Sequence, residues 1–115
     1  MDILSLTALQ LGKAIKEREA SAADAVRAVL DRVKEVEPEV NSYVTLDEEG
    51  AFQQAEEVQR LIEAGEFTGP LAGVPVAVKD NICIEGQLTT CGSRILSNFK
   101  PVYTAEAVLN LKKAG

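Results

Sequence analysis

Up to Gly65 the apolar residues return every three or four positions, the spacing of helix faces; beyond it that rhythm stops. Ala8, Leu11, Ala14 and Ile15 share one face of a first helix predicted over residues 5–18. Ser21 is placed to cap a second helix, and Asp24 three positions on supplies most of a capping box. Val26, Val29, Leu30, Val33 and Val36 form its apolar stripe, and Pro38 is expected to end it. Tyr43, Val44 and Thr45 make residues 41–46 a short strand candidate. Asp47 or Glu48 starts a third helix, with Ala51, Ala55, Val58, Leu61 and Ile62 on one face and Gly65 as its stop. Core packing accounts for all three stripes.

After Gly65 the texture is that of loops and short apolar runs. Gly69, Pro70, Gly73 and Pro75 crowd into seven residues, which means fixed turns rather than a flexible linker. Val74–Val78 reads as a buried strand, with Pro75 tolerable near its start or at a sheet edge. The run delivers a single amine, Lys79, followed by Asp80 and Asn81. Thr89-Thr90-Cys91-Gly92-Ser93 is a turn of small, hydroxyl-rich residues, and Ser93 is placed to cap a helical turn through Arg94, Ile95 and Leu96. Pro101 breaks the chain again, and Thr104 is expected to cap a fourth helix carrying Val108, Leu109 and Leu111. A strand followed by a helix normally feeds another parallel strand. The expected fold class is therefore α/β: residues 1–66 mainly helical, residues 67–115 opening the α/β core, and the whole the N-terminal portion of a larger domain.

Composition narrows the chemistry. A net charge of −6 argues against these residues gripping a phosphate backbone by themselves. With no histidine, neither a Ser–His or Cys–His couple nor a His-ligated metal site can be built. Cys83 and Cys91 match no zinc-site spacing and read as two small reduced side chains. No phosphate-cradling glycine motif is present, so no cofactor is expected on this chain. The N-terminus carries an acid where a signal peptide wants a base, and no apolar run approaches a membrane span; a soluble, cytoplasmic protein with no membrane contact is expected.

Two features can carry a reaction. Most lysines are simply solvated. A lysine led inward along Val74–Val78 differs, because scarce water eases loss of its proton and makes it a base. Thr89, Thr90 and Ser93 either hydrogen-bond a substrate amide and orient the lysine, or merely cap and turn the backbone.

The run Leu71-Ala72-Gly73-Val74-Pro75-Val76-Ala77-Val78-Lys79-Asp80-Asn81, followed by Thr89-Thr90-Cys91-Gly92-Ser93, closely resembles the amidase signature family. Within it the similarity is greatest to the branch that releases ammonia for tRNA-dependent amidotransferases. Ser97–Tyr103 and the opening pair of helices share that similarity, so it spans essentially the whole chain. Thr104-Ala105-Glu106 departs from it, where relatives often place an acid after the tyrosine; a changed helix cap is the expected meaning.

The resemblance implies an α/β/α domain of helices on a mixed sheet and a Ser–cis-Ser–Lys mechanism. Lys79 takes a proton from a bridging serine, which deprotonates a nucleophilic serine that attacks the amide. Both serines belong to a Gly/Ser-rich signature further along than Gly115, so these residues alone are expected to be inactive and, with a sheet edge bare, marginally stable. The implied activity is glutamine hydrolysis, the ammonia serving ATP-dependent conversion of Glu-tRNA(Gln) to Gln-tRNA(Gln). The implied partners are subunits B and C of a heterotrimer, with ATP and Mg²⁺ on a partner and tRNA contacted mainly through it. Two alternatives stand beside this: a stand-alone amidase acting on a small amide, and a non-catalytic helical interaction domain.

Overall fold

Reciprocal caps decide where the first helices start. In a computed structural model, which describes residues 1–115, a 3₁₀ turn at Ile3–Ser5 precedes α1, Ala8–Lys16. Thr7 Oγ1 accepts the Gln10 N–H at 3.3 Å, and Gln10 Oε1 accepts the Thr7 N–H at 2.9 Å. That box makes α1 shorter than the expected 5–18 span. Ser21 and Asp24 form the same box at the start of α2, Ala22–Val40. Asp47 Oδ1 accepts the Gly50 N–H at 2.9 Å and opens α3, Glu48–Glu63.

Pro38 does not end α2. It lies inside the last turn, where losing one ladder bond is tolerable, and the helix stops at Asn41 instead. Asn41 takes the left-handed conformation (φ 52°) and donates its N–H to the Glu37 carbonyl at 2.9 Å. Residues 41–46 form no strand. The Glu37 carboxylate takes their polar groups, accepting the Tyr43 N–H at 2.6 Å and the Ser42 hydroxyl at 2.9 Å.

α2 and α3 form an antiparallel hairpin. At one end Gln59 Oε1 accepts the Ala22 N–H at 2.9 Å; at the other Lys34 pairs with Glu48 at 2.8 Å. Between them Ala22, Val26 and Leu30 pack with Ala55, flanked by Ala51 and Phe52. Leu11, Ile15 and Ala25 form a second cluster with Ile3, Leu6, Ile62 and Val74, joining α1 to the hairpin. The stripes read from the sequence supply Leu11, Ile15, Val26, Leu30 and Ala55; Ala22 and Ala25, also buried, lay outside them.

The mixed sheet expected from the sequence is absent: the elements are helices and one 3₁₀ turn, with no strand. None of residues 75–78 makes a backbone–backbone hydrogen bond, and Val76 is 58% exposed. A strand exists by virtue of a ladder partner, and no segment of residues 1–115 runs beside this one. α4, Glu106–Ala114, forms as expected, but Thr104 does not cap it. Its hydroxyl accepts the Glu85 N–H at 2.9 Å, while Cys83 O accepts the Ala105 N–H at 2.9 Å, so the start of α4 is tied to the 83–85 loop. Residues 94–98 do turn, with the Leu96 N–H on Ser93 O at 3.2 Å, but the Ser93 hydroxyl does not cap them. Only 16 of 115 residues are buried, and the radius of gyration is 14.8 Å. A compact chain of this length has about 13 Å, so the loop-rich half spreads over a small core.

Two backbones meet at Gly12. A Cβ there would lie 2.0 Å from the Pro70 carbonyl oxygen, so α1 reaches the Gly/Pro loop only because residue 12 has no side chain. Gly12→Ala should destabilise the fold by about 1–3 kcal/mol, whereas Gly69→Ala, whose Cβ would meet only Ala114 O at 3.6 Å, should be nearly neutral. Paired urea melts check this; equal midpoints for the two variants would refute the close approach.

Candidate functional site

Lys79 is placed by what holds the chain before and after it. Upstream, Lys16 Nζ donates to Thr68 O at 2.8 Å, and α1 crosses Pro70 at Gly12. Gly73 follows at φ 85°, and a Cβ there would press on Ile15 and Ile62 at 3.1–3.3 Å. Its N–H donates to Gly115 O at 2.7 Å, pinning the loop to the end of α4. Val74 then packs against the cluster of Leu11, Ile15 and Ala25, in which Ile15 is fully buried.

Downstream, the hydroxyl turn is strapped to the residue after the lysine. Asp80 Oδ1 accepts the Thr90 N–H at 2.8 Å, and Asp80 Oδ2 accepts the Thr90 hydroxyl in a very short bond. Asp80 O accepts the Cys91 N–H at 2.9 Å, and Lys79 O accepts the Ile82 N–H at 3.0 Å. Thr90 Oγ1 in turn accepts the Gly92 N–H at 3.2 Å, and Thr90 O accepts the Ser93 N–H at 2.8 Å. The Thr90 hydroxyl and N–H hold the Asp80 carboxyl below the usual carboxylate range, against a smaller opposing effect of desolvation.

The site residues read from the sequence separate into distinct environments. Lys79 is exposed, not led into an interior, because Val76 and Ala77 also face solvent and nothing in residues 1–115 covers them. Thr89 is buried, with its N–H on Phe99 O at 3.0 Å. Thr90 and Ser93 line an open cleft of about 320 Å³ with Arg94, Ser97, Leu88 and Thr45; neither Lys79 nor Thr89 lines it. Cys83 Sγ lies 3.4 Å from the Tyr103 hydroxyl, and Cys91 is exposed.

Asp80 is the residue that sequence reasoning undervalued. The sequence places it only as the residue after Lys79, and the path of the chain alone reveals that it faces Thr90, ten positions on. Chemically the arrangement offers one primary amine at the end of a strapped backbone.

The strap should persist to acidity beyond the ordinary aspartate range. Because the folded value is depressed, its contribution is complete above the unfolded value and fades as pH falls through the folded one. A carboxyl-carbon NMR titration should place the Asp80 midpoint below those of exposed aspartates. Thr90 and Gly92 amide protection should be lost over that same interval; a midpoint in the ordinary range would sink the strap.

The amidase family profile matches residues 24–115. The A subunit of glutamyl-tRNA(Gln) amidotransferase from Agathobacter rectalis is 57% identical over 115 residues, covering all of this chain and 23% of that protein. The same-named protein of Geobacter sp. is 47% identical over 115 residues, covering 24% of its length. This chain thus spans about a quarter of the length of the curated relatives it matches. A solved chain from a vestigial protein complex that reveals the evolutionary origins of an s-triazine catabolic enzyme superposes with a TM-score of 0.87 at 29% identity, over 96% of this chain and 24% of that one. No helix is long and apolar enough to cross a membrane. The family match covers most of the chain, including Lys79 and the hydroxyl turn, and the chain belongs to the amidase family.

Proposed function

We propose that the protein containing these residues is the glutamine-hydrolysing component of a tRNA-dependent amidotransferase, and that Lys79 is its catalytic base. The observation that carries this reading is 57% identity to such a component along the whole chain. Lys79 accepts a proton from a bridging serine, that serine deprotonates the nucleophilic serine, and attack on the carboxamide carbon of glutamine releases ammonia. Both serines lie on residues outside 1–115, as do the groups that would bury Lys79. Residues 67–115 then open the catalytic core, and residues 1–66 brace it.

The partners in this reading are subunits B and C. One of them uses ATP and Mg²⁺ to activate the glutamate of Glu-tRNA(Gln), and tRNA is held mainly there. The charge of −6 suits that division, since the residues here are ill-fitted to grip phosphates. A second reading is a stand-alone amidase acting on a small amide; the small-molecule half of it draws support from the TM-score of 0.87 to a chain whose complex is tied to s-triazine catabolism. Ser93, on the wall of the open cleft, would contact substrate in either reading, whereas Thr89 and Thr90 are buried within the turn.

In the full-length protein assembled with its partners, Lys79→Ala should lower glutaminase turnover about a thousandfold without loss of fold, because truncating a neutral lysine leaves no unpaired buried charge. Near-normal turnover in that variant would remove Lys79 from the mechanism. Turnover of diverse amides by the lone full-length chain, with glutamine hydrolysis indifferent to partners, would favour the second reading.

A further inference from the structure

Residues 75–78 approach Lys79 with no backbone–backbone hydrogen bond of their own. An amine at the end of such a run is aimed by the anchors at its two ends. The upstream anchor, Gly73 and Val74, is five or more residues away, far enough for the run to swing. The downstream anchor begins at the next residue, where the Asp80 side chain and carbonyl together hold Thr90 and Cys91.

We propose that Asp80 and Thr90 are positioning residues for Lys79: the Asp80 carboxylate, gripping both the N–H and the hydroxyl of Thr90, fixes the peptide from which the lysine side chain departs. This rests on the reading of Lys79 as the proton acceptor. Two bonds from one carboxylate to one residue restrict rotation as well as distance. The Gly92 N–H occupies one lone pair of the Thr90 hydroxyl, so its single proton is directed at Asp80. Thr90 is only 7% exposed, which gives the strap a buried footing. The depressed titration of Asp80 keeps the grip ionised further into acid than an ordinary aspartate.

The test uses the full-length enzyme with its partner subunits and measures glutamine hydrolysis. Thr90→Val keeps the shape and deletes the hydroxyl; Thr90→Ser restores the hydroxyl. Displacing a catalytic group by about an ångström costs roughly a hundredfold in turnover. Thr90→Val should accordingly lower kcat by about that factor with KM unchanged, and Thr90→Ser should return it close to wild type. Asp80→Asn, which keeps the shape and discards the charge, should lower kcat in the same direction and covers the case in which Thr90→Val fails to fold. Near-UV circular dichroism of each variant reports the folded fraction. The proposal is overturned by wild-type kcat in folded Thr90→Val or Asp80→Asn, by a rise in KM in place of a fall in kcat, or by losses that merely track the folded fraction. Lys79→Ala is measured alongside: wild-type turnover there overturns the reading of Lys79 itself. Its inactivity together with wild-type turnover in Thr90→Val overturns the positioning role alone.

Discussion

The chain downstream of α3 is seated on the helices by the contact between α1 and the loop at Pro70. Helix and loop touch backbone to backbone because Gly12 has no side chain, and Gly73 slips between Ile15 and Ile62 for the same reason. Ile15 is fully buried at this junction, where it meets the helical hairpin and the start of the extended run. Close fit holds it, with the Lys16 and Gly73 hydrogen bonds at its margins, so a single added methyl group has a large effect.

From that junction the chain changes its means of support. The helical half is held by apolar faces and reciprocal caps, the other half mostly by backbone and side-chain hydrogen bonds between loops. Asp80 holds Thr90, Thr104 holds the Glu85 N–H, and Gly73 holds the end of α4. Directional bonds suit a region that must present a group at a defined place without a core beneath it. The four exposed ion pairs within single helices contribute little by comparison.

How far each half could be read from the sequence follows from that division. Period and caps are local signals, and Ser21, Asp24 and the stripe of α2 announced their helix correctly. Pro38 misled because proline is disruptive in a helix interior but tolerable in a final turn. Tyr43 and Val44 misled because their β preference needed a neighbour, and Glu37 intercepted the backbone first. Val74–Val78 has the composition of a buried strand, but burial is a property of what surrounds it, and residues 1–115 leave it open. Lys79 was legible as a residue of interest, whereas the grip of Asp80 on Thr90 depends on tertiary path and left no periodic trace.

The proline at position 75 gives that open run a handedness. In an extended chain, successive residues direct their N–H and C=O groups to opposite sides in the plane of a sheet. Val76 and Val78 share one margin, both with donors; Pro75 and Ala77 share the other, where proline leaves a gap. The two margins are therefore unequal as zippering surfaces, and a flanking strand finds the fuller set of bonds along the valine margin.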